Sequence, residues 1–185
     1  VSADLNNTGI NSTEITSNGP GSGGGAPAPE VRDAVVEHVR DALLAAGLPD
    51  TVIVVDDSVA TAATAAAVLG CEVGAIANSL IFECGGEPLL ILASGAAKVD
   101  VKLVARELGL PKIKRATPEF VLQHAGQPVG GVAPLGHPVP LRTILDTELA
   151  RYPVLWAGAG SHRAMLSLSY AELARVTGAE PAAVR

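Results

Sequence analysis

The sequence predicts an α/β protein of the α+β type, a single compact domain in which helices pack on a central mixed β-sheet. Three observations point there. Apolar residues make up 48% of the chain but aromatic residues only 3%, so the core must be built from Ala, Val, Leu and Ile. Segments with helical and strand periods are interspersed without a strict β-α-β alternation. The 185 residues suffice for one ordinary core, and neither an internal repeat nor a linker follows residue 29.

Residues 1–28, rich in Asn, Ser, Thr and Gly and ending NGPGSGGGAPAP, have no apolar period and are expected to form a disordered tail; the domain is expected to span 29–185. Pro29 is expected to open a helix on which Val31, Val35, Val39, Ala42 and Ala46 recur at helical spacing, with Gly47 as its stop. The β-branched run Thr51–Val55 reads as a strand. Asp56, Asp57 and Ser58 offer an N-cap for a helix over Ala60–Leu69, closed by Gly70. Ala75–Cys84 and Pro88–Ala93 read as a hairpin around Gly85-Gly86. Val99–Leu108 is an amphipathic helix with Val101, Val104, Ala105 and Leu108 on one face. Ile113 marks a short strand, and Thr117 caps a helix over Pro118–His124. An extended piece around Leu141–Leu145 and strands at Val154–Ala157 and Ala164–Leu168 follow. Ser169 caps a last helix, Tyr170–Val176, ended by Gly178.

Composition narrows the function classes. No apolar run approaches the roughly 18 residues of a membrane span, and the first residues lack the basic start and apolar stretch of a signal peptide, so a cytoplasmic protein is expected. Cys71 and Cys84 form no Cys-x-x-Cys pair and read as free buried thiols. The net charge is −6, but residues 98–163 carry nine basic and five acidic side chains, which allows a local positive face on an acidic protein. There is no zinc-spaced Cys/His cluster, no Gly-x-Ser-x-Gly elbow and no phosphate-binding Walker loop. His38, His124, His137 and His162 are widely separated. Neither a metal nor a cofactor is expected.

The unusual segment is Val129–Pro138, VGGVAPLGHP, which places three glycines and two prolines among apolar residues. Glycine lets another molecule approach the main chain and proline stiffens it. Such a loop can preset N–H groups around a carbonyl or an oxyanion, each donor contributing roughly 3 kcal/mol to a transition state. A tight turn at a sheet edge is the equally weighted alternative.

This segment resembles the Gly-Gly-x-x-Pro-x-Gly loop of the YbaK/EbsC family, which includes free-standing aminoacyl-tRNA deacylases and the editing insertion domain of bacterial prolyl-tRNA synthetases. The similarity extends over TAATAAAVLGCEVGAIANSLIF (61–82), PLLILASGAAKVDVKLVARELG (88–109), RTILDTEL (142–149) and VLWAGAGSHRAMLSLSYAELARVTGA (154–179), in the family's order. The resemblance implies a mixed, partly barrel-like sheet and hydrolysis of the ester joining a wrong amino acid to the 3′-terminal adenosine of tRNA. It implies no metal, and attack by an ordered water or by the substrate's own thiol. The acceptor end of an aminoacyl-tRNA is the implied partner, with an aminoacyl-tRNA synthetase as a candidate second one.

Residue by residue, Gly130, Gly131, Val132, Ala133, Pro134 and Gly136 would cradle the aminoacyl carbonyl. Asp146 matches an acidic site position, with helix capping as its plain alternative, and His162 matches a polar position near the pocket. Arg142 and Arg163 are candidate phosphate contacts. Ile76, Leu80, Phe82 and Val132 are candidate walls. One departure stands out: where the family's editing enzymes carry Lys-[Ser/Thr]-Leu, this chain reads Asn78-Ser79-Leu80. Asn78 keeps hydrogen-bonding capacity but no charge, a loss on the order of 1.5–3 kcal/mol in a charge-assisted bond. Lys98, Arg142 or Arg163 could supply a substitute cation, and Ser79 is a candidate pocket donor. The leading expectation is a deacylase acting in trans; a binding paralogue without turnover and a small-molecule ester hydrolase are the alternatives.

Overall fold

The computed structural model describes residues 33–185, so the expected tail over 1–28 and helix start at Pro29 lie outside the described residues. The elements in chain order are α1 (Ala34–Ala45), β1 (Ile53–Val54), α2 (Ala62–Leu69), β2 (Ile76–Cys84), β3 (Glu87–Ser94), α3 (Val101–Glu107), β4 (Ile113–Arg115), α4 (Pro118–Ala125), β5 (Arg142–Asp146), β6 (Leu155–Gly158), β7 (Ala164–Leu168), α5 (Tyr170–Thr177) and β8 (Glu180–Ala182). Short 3-10 turns occupy Val73–Ala75 and Thr147–Arg151.

The eight strands form one sheet in the order β1-β7-β6-β2-β3-β5-β8, with β4 on the far end of β2. It is mixed: β2 runs parallel to β6, and β5 parallel to β3 and to β8, while the other pairs are antiparallel. At the centre, β3 is buried on both faces, which is why it reads as a continuous apolar run rather than an alternating one. Leu90 and Leu92 face one core, with Ala77, Ile81 and Leu145. Leu89, Ile91 and Ala93 face another, with Val104, Ile113 and Ile144. Helices α1, α4 and α5 cover the first face through Val39, Leu43, Val121 and Leu173; α3 covers the second through Val104. Ala65 and Ala66 of α2 close a third cluster with Val59, Ile76 and Met165.

Local chemistry accounts for the boundaries. Gly85 and Gly86 both take positive φ, 65° and 95°, as a two-residue hairpin turn requires. Asp100, Thr117 and Ser169 each accept a first-turn N–H, and Ser169 with Glu172 forms a capping box. Three expectations are corrected. Helix α1 buries Val36, Val39 and Leu43, so the core stripe is shifted from the one expected, and Asp33 is its cap. Helix α2 begins at Ala62 under a Thr61–Thr64 capping box, leaving Asp56, Asp57 and Ser58 exposed. Strand β1 is only Ile53–Val54 because Thr51 bonds β7 through its side chain: its hydroxyl donates to the Ser167 carbonyl at 2.7 Å. β8 was not expected: with proline at its centre it carries no strand signal. Cys71 and Cys84 are free thiols, half-buried rather than buried.

Candidate functional site

A small, open cleft of about 30 Å³ lies where β2 parts from β6. Three chain segments build it. The first, Val59–Ala62, leads into α2, held in place by the Val59 N–H on the His162 carbonyl at 2.7 Å. The second is the start of β2, Ile76–Ser79. The third is the Gly/Pro loop, through Gly130 and Val132, and Ala65, Gly158 and Met165 complete the wall. None of the lining side chains is titratable. The polar ones are Asn78, Ser79 and Thr61, and the Thr61 hydroxyl is committed to capping α2.

Because side chains alternate along a strand, Asn78 and Ser79 point to opposite faces of the sheet. Both reach the cleft because it lies at the strand's open edge. The Ser79 Oγ is buried without a hydrogen-bond partner among the described residues. A buried hydroxyl left unpaired costs about 1–3 kcal/mol, a cost that Ser79 carries beside the cleft.

The loop is fixed from within. The Gly131 N–H donates to the Pro128 carbonyl at 3.0 Å, closing a turn whose third residue, Gly130, takes φ 85°, as a type II turn requires. A Cβ on Gly131 would lie 2.8 Å from the main-chain carbon of Ser161, and the Gly131 carbonyl accepts the Gly160 N–H at 2.8 Å. Gly158 is equally constrained, with the Val132 carbonyl 2.8 Å from any Cβ. The Ala133 N–H donates to the Oε1 of Gln127 at 2.6 Å, and the Ala133 carbonyl meets the Nε2 of His137 at 2.9 Å. Burial pushes the His137 pKa down, opposed by that carbonyl contact, so the neutral ring donates from Nε2. The Nε2 of His162 lies 2.7 Å from the Val129 carbonyl.

The expected site residues therefore separate. Asn78, Ser79, Gly130 and Val132 meet in the cleft. Gly131 lies directly behind, and its missing side chain makes room for Ser161. Ala133 and Pro134 are buried, and Gly136 lies against His38 and Val39 of α1, so none of the three lines the cleft. The amides of Gly131 and Ala133 are committed, whereas those of Gly130 and Val132, which line the cleft, have no acceptor among the described residues, and neither has that of Gly136, which lies away from it. Asp146 does not line the cleft: it is fully buried, caps the 3-10 turn through Glu148 N at 3.1 Å and accepts Ser94 N at 3.1 Å. His162 is exposed and braces the loop from outside. Arg142 pairs with Glu180 across β5 and β8, and Arg163 with Asp56. Neither Arg142, Arg163 nor Lys98 lines the cleft. Of the expected walls, Ile76 and Val132 line it, while Leu80 and Phe82 pack into the second core.

Gln127, His137 and the Val59–Ala62 segment escaped sequence reasoning. The Thr-x-x-Thr spacing at Thr61–Thr64 was the one available signal, masked by the alternative caps Asp56, Asp57 and Ser58 before it. No group of three His, Cys, Asp or Glu among the described residues could hold a metal ion.

The site is thus an uncharged cleft in a mixed α/β domain, lined by main chain and small side chains. Comparison with known proteins makes this particular. Residues 56–176 match the family model described as "Aminoacyl-tRNA editing domain". The chain is 34% identical over 119 residues to the uncharacterized protein YwhH of Bacillus subtilis (strain 168), covering 64% of this chain and 75% of that protein. It is 31% identical over 125 residues to a proline–tRNA ligase of Nitratidesulfovibrio vulgaris (strain DP4), covering 62% of this chain but only 22% of the ligase. The crystal structure of a putative trans-editing enzyme for prolyl tRNA synthetase superposes with a TM-score of 0.78 at 36% identity, over 83% of this chain and 98% of that one. The chain belongs to the aminoacyl-tRNA editing domain family.

Proposed function

We propose that this protein hydrolyses the ester of a mischarged aminoacyl-tRNA in trans, as a cytoplasmic enzyme of translation fidelity. The observation that carries the proposal is that Gly130 and Val132, whose amides have no acceptor among the described residues, line one uncharged cleft together with Asn78 and Ser79. The ester carbonyl sits on the two N–H groups. The aminoacyl side chain enters between Ile76, Met165 and Val132, where the cleft suits a small residue. Water adds to the carbonyl carbon, and the proton it gives up to solvent is replaced from solvent on the departing ribose oxygen. The oxyanion is held by the amides until the ribose oxygen leaves as a hydroxyl. Two preset donors at roughly 3 kcal/mol each supply catalysis without a reactive side chain. The first turn of α2, whose Ala62 lines the cleft, adds the partial positive charge of a helix N-terminus, worth roughly 0.3–1 kcal/mol. That offsets part of the cation that Asn78 lacks.

A second reading has its own observation: no titratable side chain lines the cleft. A paralogue that captures the charged tRNA end without cleaving it would look the same. One experiment separates the two, a deacylation panel of Cys-, Ala-, Ser- and Pro-charged tRNAs with the native protein and Asn78→Lys. The deacylase reading expects amino acid release from at least one of them, faster in the lysine variant. Salt-sensitive binding with every ester intact at high protein concentration supports the second reading and overturns the first.

A further inference from the structure

One side of β2 carries no strand between Ala77 and Phe82. The parallel pairing with β6 ends at Ala77↔Ala157, and the antiparallel pairing with β4 begins at Phe82↔Arg115. Asn78, Ser79, Leu80 and Ile81 pair with β3 alone. In an antiparallel ladder every second residue turns its N–H and C=O away from a given neighbour. This stretch therefore presents main-chain groups outward, and no other backbone among the described residues takes them. The cleft occupies one end of the open edge, at Asn78 and Ser79.

Arg115 stands at the other end. Residues directly opposed in an antiparallel pair share a sheet face, so Arg115 lies on the face of Phe82, Leu80 and Asn78. Four residues of strand separate Phe82 from Asn78, roughly 13 Å. Arg115 is exposed and has no ion-pair partner among the described residues, whereas Lys114 beside it is bound to Glu83 at 3.2 Å.

We propose that this open edge is the track for the single-stranded nucleotides preceding the acylated adenosine, and that Arg115 holds one of their phosphates. The inference rests on the deacylase reading for its polarity, with the esterified end in the cleft. Single-stranded RNA is held by cations on its phosphates and by surfaces that accept splayed bases and riboses. The guanidinium fork matches a phosphate, and the free N–H and C=O groups of β2 match ribose hydroxyls and base edges. The cleft contains no cation, so the phosphate charge is met a short run of nucleotides upstream.

The test compares Arg115→Gln with native protein on a full aminoacyl-tRNA and on the corresponding aminoacyl-adenosine, which lacks the upstream phosphates. Arg106→Gln serves as a control, since Arg106 is exposed and already paired with Glu107. For the tRNA substrate, Arg115→Gln is expected to raise KM about tenfold and to flatten the slope of log KM against log salt by about 0.7, as loss of one single-strand phosphate contact requires. Turnover of aminoacyl-adenosine should be unchanged. Equal losses on both substrates, or an unaltered KM and slope on tRNA, would overturn the track. If native protein cleaves no substrate, the deacylase reading fails by itself. Binding of labelled tRNA then decides the track: weaker, less salt-sensitive binding by Arg115→Gln upholds it, and identical isotherms refute it.

Discussion

The carboxamide of Gln127, only 1% exposed, accepts the Ala133 N–H at 2.6 Å, so the Gly/Pro loop is anchored from beneath by a side chain that never reaches the cleft. Its Nε2 faces the Leu135 and Gly136 carbonyls at 3.4 and 3.5 Å, which completes the anchor. Gln127→Ala should strand a buried N–H and cost about 1–3 kcal/mol. Urea unfolding measures that loss, and kcat should fall because Val132, next to the anchored residue, loses its position. An unchanged midpoint would show that the anchor contributes nothing.

Gly131→Ala tests the packing behind the cleft. The added methyl would meet the Ser161 main chain at 2.8 Å, and neither backbone segment can move aside as a side-chain tip would. Deacylation should fall by at least tenfold while the protein stays folded by circular dichroism. Wild-type kinetics in this variant would mean that the loop need not press on Ser161.

Ser79→Ala separates binding from stability by their signs. Removing a buried hydroxyl that has no partner should leave the unfolding free energy unchanged or raise it by up to about 1 kcal/mol. The same change should raise KM for the acylated substrate. A drop in stability would show that the hydroxyl already has a partner in the empty protein.

Asp146→Ala should behave in the opposite way. The carboxylate holds two main-chain N–H groups at full burial, so its loss should cost about 1.5–3 kcal/mol or more. Measured well below the melting temperature, kcat per folded molecule should change little. A large fall in kcat with the midpoint unmoved would place Asp146 in the chemistry.

The pH dependence has a definite sign. Burial lowers the His137 pKa from its ordinary 6.5, so the unfolded chain binds this proton more readily than the folded one. The histidine's contribution to stability is fully present above pH 6.5 and is lost as pH falls toward the folded value. The carboxylates of Glu119 and Glu172, held below their ordinary 4.5 by N-terminal hydrogen bonds, add a separate loss at more acid pH. The urea midpoint should fall between about pH 7 and pH 5, and less so in His137→Gln. Equal falls in both proteins would remove His137 as the source.

Much of this was legible in the sequence, because local patterns set it. The hairpin at Gly85-Gly86, the caps at Thr117 and Ser169 and the buried run of β3 each follow from a few adjacent residues. The site was legible only in outline. Gly130 and Val132 stand together with Asn78 and Ser79 as expected, but Gly131, Ala133 and Pro134 turn inward. That turn depends on His137 at the loop's own end and on Gln127 and Ser161, which no spacing rule links to the loop. Asp146 misled for a related reason: an acidic residue at the end of a strand reads alike as acid or cap until its burial is known.

In the proposed mechanism two amides, Gly130 and Val132, receive the acyl carbonyl. Amide NMR of ¹⁵N-labelled protein titrated with a non-hydrolysable aminoacyl-adenosine analogue tests it most directly. The Gly130 and Val132 N–H resonances should shift strongly downfield, with those of Gly131 and Ala133 nearly still in their existing hydrogen bonds. Saturable binding that leaves Gly130 and Val132 unmoved would contradict it.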